Sequence, residues 1–248
     1  MSLLDVRSVA YGYPGTFLLR DVDFNVGEGE VLCLMGPNGS GKTTLLALMA
    51  GYCYPMAGSV YFQSRELHAN PIISQSEITY VPFMPRFSTL RTPYLFWQAI
   101  GHLYGLSYRE TAARIDELAP QMQLAGKMHV SHGMLSLGMR EKVAIIAAFL
   151  PDVKLRLLDE PFSGGVDPLG MEVLAHWVQQ AQGRGESIVF TSQLIEHGER
   201  LADRIAILKR GQLTAIGTPQ ELIKMAGVSS TADRALAQAY ILLSESNP

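Results

Sequence analysis

Eight residues, Gly36-Pro37-Asn38-Gly39-Ser40-Gly41-Lys42-Thr43, match the pattern GxxxxGK[ST] in full. That spacing suits the wrapping of a polyphosphate. Its glycines let successive backbone N–H groups turn inward toward phosphate oxygens, and a helix beginning there adds favourable partial charge. Lys42 would reach the β- and γ-phosphates, the Thr43 hydroxyl would bind Mg2+, and Thr44 follows among the nucleotide-binding residues. A second segment, Leu155-Arg156-Leu157-Leu158-Asp159-Glu160-Pro161, is an apolar run ending in two carboxylates. Asp159 suits the shell of the Mg2+. Glu160, one residue later, would sit beside the γ-phosphate and polarise an attacking water. Arg156 is a charge inside this run, and a position near the strand's open end is its one reading here.

Both segments need strands and helices to aim them. Residues 31–35 form a short continuous apolar run, the mark of a strand covered on both faces, and residues 42–50 read as the helix that follows the glycine turn. Residues 3–9 and 22–26 alternate like half-buried strands. Further strands are expected at 59–62, 78–81, 155–158, 187–191, 205–208 and 213–216. From about Pro93 the periodicity becomes helical, over 93–104, from Ser107 onward and over 137–150. Ser107 and Glu110 have capping-box spacing. Helices are also expected at 168–181 and 194–202, and Thr218, Pro219 and Glu221 make another helix start. Strands alternating with helices imply a mostly parallel sheet. The expected organisation is an α/β lobe from 1–83 and 151–228, a helical lobe inserted at 84–150, and a tail at 229–248, helical around 233–243 and with no readable role.

Composition narrows the function classes. The 248 residues are 48% apolar and 17% charged, enough for a well-filled core rather than a disordered chain. A net charge of −3 without a dense Lys/Arg run argues against nucleic acid as a partner. Cys33 and Cys53 lie in apolar stretches and read as reduced thiols. No run nears the ~18 apolar residues that a membrane span requires, and the N-terminus has no signal-peptide pattern. Any membrane association must then come through a partner.

A third segment, Leu135-Ser136-Leu137-Gly138-Met139-Arg140, precedes an apolar helix and then the Asp159 strand. In that order the three segments resemble the nucleotide-binding subunits of ABC transporters, a likeness running from about residue 3 to 225. The resemblance implies a RecA-like P-loop NTPase core of the α/β class, an N-terminal antiparallel β subdomain and an inserted α-helical subdomain. It implies ATP and Mg2+ as cofactors, a second ATP-binding subunit, alike or different, and an integral membrane permease subunit as partners, and a place on the cytoplasmic face of the membrane. Ser136 and Gly138 match the residues that cap the γ-phosphate held by the facing subunit. Leu137 and Met139 resemble exporter-type subunits whose membrane partner is a separate chain. Tyr13 matches the aromatic that stacks on adenine, with Tyr11 as its competitor. The aromatic stretch 85–104, with Phe87, Tyr94, Phe96, Trp97 and Tyr104, reads for the most part as helix core; the resemblance places it at the groove where a membrane subunit's cytoplasmic helix docks, with Phe83 at its edge.

Three positions depart from the family pattern. Phe83 stands where a glutamine touching Mg2+ and the attacking water is usual, and Gln75 and Gln98 lie too far off to replace it. Gln193 stands where a histidine is usual; it can donate to a γ-phosphate but carries no charge. His197 lies one helical turn on. The segment from Phe162 to Pro168 is one glycine longer than usual, which could displace Asp167. Losing a positioned acid, base or donor costs about 10²–10³ in rate. The expectation is therefore tight Mg-ATP binding with slow turnover, carried by Glu160 and Gln193. Two rivals remain: a nucleotide-gated regulatory module with little hydrolysis, and a soluble ATPase of this family outside transport.

Overall fold

A computed structural model describes residues 2–13, 15–69, 76–85, 88, 91–163 and 165–245. Pro14, Gln75, Phe87 and Gly164 lie outside the described residues. In chain order the elements are β1 (Ser2–Tyr13), β2 (Thr16–Gly27), β3 (Val31–Met35), α1 (Lys42–Met49), β4 (Ala57–Phe62), β5 (Arg65–Glu66) and β6 (Ile78–Val81). Next come α2 (Pro93–Leu103), α3 (Tyr108–Gln121), α4 (Leu137–Phe149), β7 (Leu155–Leu158), α5 (Pro168–Gly183) and β8 (Ser187–Ser192). The chain closes with α6 (Ile195–Leu201), β9 (Arg204–Lys209), β10 (Gln212–Gly217), α7 (Pro219–Met225) and α8 (Ala235–Glu245).

Six strands form a sheet in the order β10-β9-β3-β8-β7-β6, parallel throughout except for the β9/β10 hairpin. Four more form an antiparallel sheet in the order β2-β1-β4-β5. Because strand side chains alternate between faces, β3 feeds two cores. Val31, Cys33 and Met35 join the core made with α4 and α5. Leu32 and Leu34 join the core enclosed by α1 and the antiparallel sheet. This two-sided burial accounts for the continuous apolar run.

Helix α2 is held to its neighbours by polar pins on apolar packing. Trp97 of α2 is fully buried, and its indole N–H donates to the Val143 carbonyl of α4 at 2.9 Å. The Tyr104 hydroxyl donates to the Ile78 carbonyl of β6 at 2.6 Å, tying α2 to the parallel sheet. Burial pushes the Tyr104 pKa up to about 12, so this phenol stays a donor. Both anticipated helix starts carry full capping boxes, Ser107 with Glu110 and Thr218 with Glu221. The tail is not a separate appendage: Ala235, Leu236 and Ala239 of α8 are buried, and Leu236 belongs to the main core.

Arg156 corrects its sequence reading. It lies in the amino-terminal half of β7, away from the end that carries Asp159, and is fully buried. Its Nε donates to Glu186 Oε2 at 2.7 Å and its guanidinium also donates to the carbonyls of Pro151, at 2.9 Å, and Ala148. Phe149 covers its plane at 4.7 Å. Arg156 thus satisfies the orphan carbonyls where α4 ends, with the sign that a helix C-terminus favours. Removing Arg156 leaves the buried Glu186 with only the half-exposed Arg184, at 2.9 Å, as its ion-pair partner. Arg156→Met is expected to lose about 3–5 kcal/mol of unfolding free energy in urea, and Arg156→Met with Glu186→Leu to lose less than Arg156→Met alone. A single variant within 1 kcal/mol of wild type would remove this role.

Candidate functional site

The parallel register brings the chemistry to one edge. Met35 pairs with Ser192, Leu158 with Phe190, and Val81 with Leu158. The residues that follow these strand ends are Gly36, Gln193, Asp159 with Glu160, and Phe83, so four separate stretches of sequence meet at the carboxyl end of the sheet. Ligands of open α/β sheets bind at that edge.

The glycine turn ends at Gly41, the N-cap of α1, whose φ of +105° only glycine adopts readily. A Cβ there would meet Leu19 Cδ2 at 2.7 Å. No side chain caps α1 and no acidic residue stands in its first turn. The first amides of the helix are thus left for an anion. Lys42 is buried, and its Nζ donates to the Gly36 carbonyl at 2.8 Å and the Pro37 carbonyl at 3.3 Å. The same ammonium lies 3.5 Å from Glu160 Oε1. Pro37, Asn38, Gly39 and Thr43 are exposed, Thr44 is half-buried and Ser40 is buried.

The two carboxylates are organised by β8. The Thr191 hydroxyl donates to Asp159 Oδ1 at 2.8 Å and accepts the Glu160 N–H at 2.7 Å. The Ser163 hydroxyl donates to the Glu160 carbonyl at 2.8 Å. Glu160 itself has φ +49°, an uncommon left-handed conformation for a residue with a side chain. Backbone strain of this kind, of order 1–3 kcal/mol, persists only where neighbours over-determine it.

The arrangement fits ATP and Mg2+. Among the described residues, Ser40 Oγ and Asp159 Oδ2 are buried without a hydrogen-bond partner, and Glu160 Oε1 has only the Lys42 ammonium at 3.5 Å. A buried polar group left unmet costs about 1–3 kcal/mol; a polyphosphate would accept from the Ser40 hydroxyl and a hydrated cation would meet the Asp159 carboxylate. Thr43 and Asp159 would hold the ion and the Gly36–Thr44 turn the phosphates.

Other anticipated residues sit apart from this cluster. Tyr13 is 63% exposed, whereas Tyr11 is half-buried and bonded to the Cys53 thiol, so only Tyr13 offers a free ring face. Ser136 caps α4, accepting the Met139 N–H at 3.2 Å, and neither it nor Gly138 bonds to the glycine turn of its own chain. Gln193 is exposed beyond β8, while His197 packs on Phe162 at 4.9 Å and bonds Ser192 Oγ at 3.1 Å. Asp167 caps α5 and pairs with Lys142 within the chain. Phe83 lines a cavity of about 10 Å³ beside Asp159 and Glu160. Pro82 and Pro85, on either side of it, line that cavity too and also a groove of about 740 Å³ bordered by α2, α4 and β6. Tyr52, Tyr80, Phe96, Ile100 and Tyr104 face that groove, and none of its described lining residues is charged. The sequence reading missed Thr191, whose threonine at a strand end is too common to stand out.

Residues 19–163 match the family model described as "ABC transporter". The chain is 30% identical to the ABC-type transporter ATP-binding protein EcsA of Bacillus subtilis (strain 168), over 99% of this chain and 98% of that protein. It is 28% identical to the Nod factor export ATP-binding protein I of Rhizobium sp. (strain N33), over 89% of this chain and 72% of that one. A solved structure described as the ATP binding subunit of an ABC transporter superimposes with a TM-score of 0.91 at 29% identity, covering 98% of this chain and all of the other.

Thr191→Val removes a hydroxyl that serves a buried amide and a buried carboxylate together. A loss of about 1–3 kcal/mol in chemical denaturation is expected, with Thr191→Ser close to wild type. A valine variant as stable as the parent would show that the hydroxyl does not organise the turn.

Proposed function

The chain belongs to the ABC transporter family, and from that membership we propose that it hydrolyses ATP to drive outward transport through a separate integral membrane subunit. The observation that carries this reading is a pair of buried oxygens without a hydrogen-bond partner among the described residues, Ser40 Oγ and Asp159 Oδ2, together with the Lys42–Glu160 ion pair and the uncapped start of α1. Glu160 polarises the attacking water, Thr43 and Asp159 hold Mg2+, and Tyr13 stacks on adenine. Ser136 and Gly138, which do not reach their own glycine turn, close over the nucleotide of a second ATP-binding subunit. ATP then acts as a clamp because the closed pair holds it from both sides and the open state from one. Its differential affinity shifts the population toward closure.

The uncharged groove bordered by α2, α4 and β6 supports docking of an apolar, amphipathic helix from the membrane subunit. No helix among the described residues is long and apolar enough to cross a bilayer, in keeping with peripheral attachment at the cytoplasmic face through that partner. Outward direction is supported by the likeness of Leu137 and Met139 to exporter-type subunits and by the export relatives.

A second reading, a nucleotide-gated module with little hydrolysis, draws on Phe83 beside Glu160 and on the uncharged Gln193. Glu160, held in place by Thr191 and Ser163, weighs against it. Single-turnover hydrolysis of Mg-ATP decides between them. Glu160→Gln is expected to lower the rate by about 10²-fold or more and Gln193→His to raise it by about tenfold or more. Wild type no faster than Glu160→Gln would favour the second reading, and a histidine variant no faster than the parent would exclude Gln193 as the cause of slow turnover.

A further inference from the structure

Helix α4, whose first turn carries Ser136, also grips the loop that follows Glu160 in its own chain. Glu141 Oε2 accepts the Gly165 N–H at 2.9 Å. Gly138 touches Gly165 backbone to backbone, and a Cβ on either would strike the other residue. One residue past Glu141, Lys142 pairs with Asp167, the N-cap of α5. Glu141 further lines, with Glu160, Asp159 and Phe83, the cavity of about 10 Å³, the room of one water. Burial raises the Glu141 pKa while the Gly165 amide lowers it, as expected of a half-buried carboxyl whose neighbour is a backbone donor.

We propose that Glu141 is a positioning residue for hydrolysis, tying Gly165, in the stretch that follows Glu160, to α4 by accepting its amide N–H. The inference rests on the hydrolytic function above. Ser163 connects the two halves of the device, since its hydroxyl holds the Glu160 carbonyl two residues before Gly165. Releasing Gly165 therefore frees the segment that sets where the Glu160 carboxylate stands, while the phosphate turn at Gly36 keeps its own bonds. Turnover depends on Glu141, and nucleotide affinity does not. The same helix presents Ser136, so its position registers both the chain's own Glu160 turn and the loop offered to the facing subunit.

The test is steady-state and single-turnover hydrolysis of Mg-ATP by the full chain with Glu141→Leu, Glu141→Gln and Gly165→Ala. The leucine variant is expected to lose about ten- to a hundredfold in kcat, the scale of a small misplacement of a reacting group, with KM changed less than about twofold. Glutamine, whose amide oxygen still accepts the Gly165 N–H, is expected to restore most of the rate. Gly165→Ala, whose Cβ would meet Glu141 Oε2 and Gly138 N at 2.7 Å, is expected to reproduce the leucine loss. It carries the same test should the leucine variant not fold. Combining it with Glu141→Leu should add little, as for two members of one contact. Wild-type kcat in the leucine and alanine variants, a loss confined to KM, or a glutamine variant as slow as leucine would each overturn the proposal. Those outcomes differ from the failure of the hydrolytic function itself, in which the wild type would take up Mg-ATP without any single turnover.

Discussion

The register of the parallel sheet is the constraint from which the rest of the site follows. With Met35 opposite Ser192 and Leu158 opposite Phe190, the phosphate turn, the two carboxylates and the Gln193 position must meet at one edge. A slip by one residue would turn every side chain of a strand to the other face, and β3 could not feed both cores. Once the strands are set, Lys42 and Glu160 come within 3.5 Å of each other in a nearly dry pocket. The cluster so placed offers a ligand both a cation and a carboxylate.

The departures at Phe83 and Gln193 gain a physical setting from this geometry. Phe83 walls the small cavity against Glu160, where a polar side chain would have added a hydrogen-bonding group. Gln193 follows Ser192 at the same edge but contributes no charge. In the proposed function the chain keeps the phosphate turn and the Glu160 carboxylate, while Phe83 and Gln193 stand at the two departures from the family pattern. Slow turnover with firm binding is therefore part of the proposal and not of the geometry itself.

How much of this was legible in the sequence depended on whether the determining contacts were local. The strands at Val31–Met35, Ile78–Val81 and Leu155–Leu158 were legible to the residue, because a buried strand announces itself by continuous apolarity between turns. The capping boxes at Ser107 and Thr218 were legible for the same reason, their partners lying three residues away. Arg156 was not, since its partner Glu186 is thirty residues distant and its carbonyl acceptors lie at and just past the end of α4. The antiparallel strands β1 and β2 run longer than their alternating cores because hairpin pairing extends them, and β5 has only two residues to show. The tail's packing was hidden because its burial is decided by α7 and β9, not by its own pattern. The grip of Glu141 on Gly165 joins segments twenty-four residues apart and leaves no mark in either.

Calorimetric titration of the purified chain with Mg-ATP tests the central claim most directly, namely that the turn beginning at Gly36 wraps a triphosphate whose charge Lys42 meets. The account predicts saturable binding that requires the nucleotide's terminal phosphates, lost in Lys42→Ala and retained in Glu160→Gln. Absence of binding by the wild type, or undiminished binding by Lys42→Ala, would contradict it.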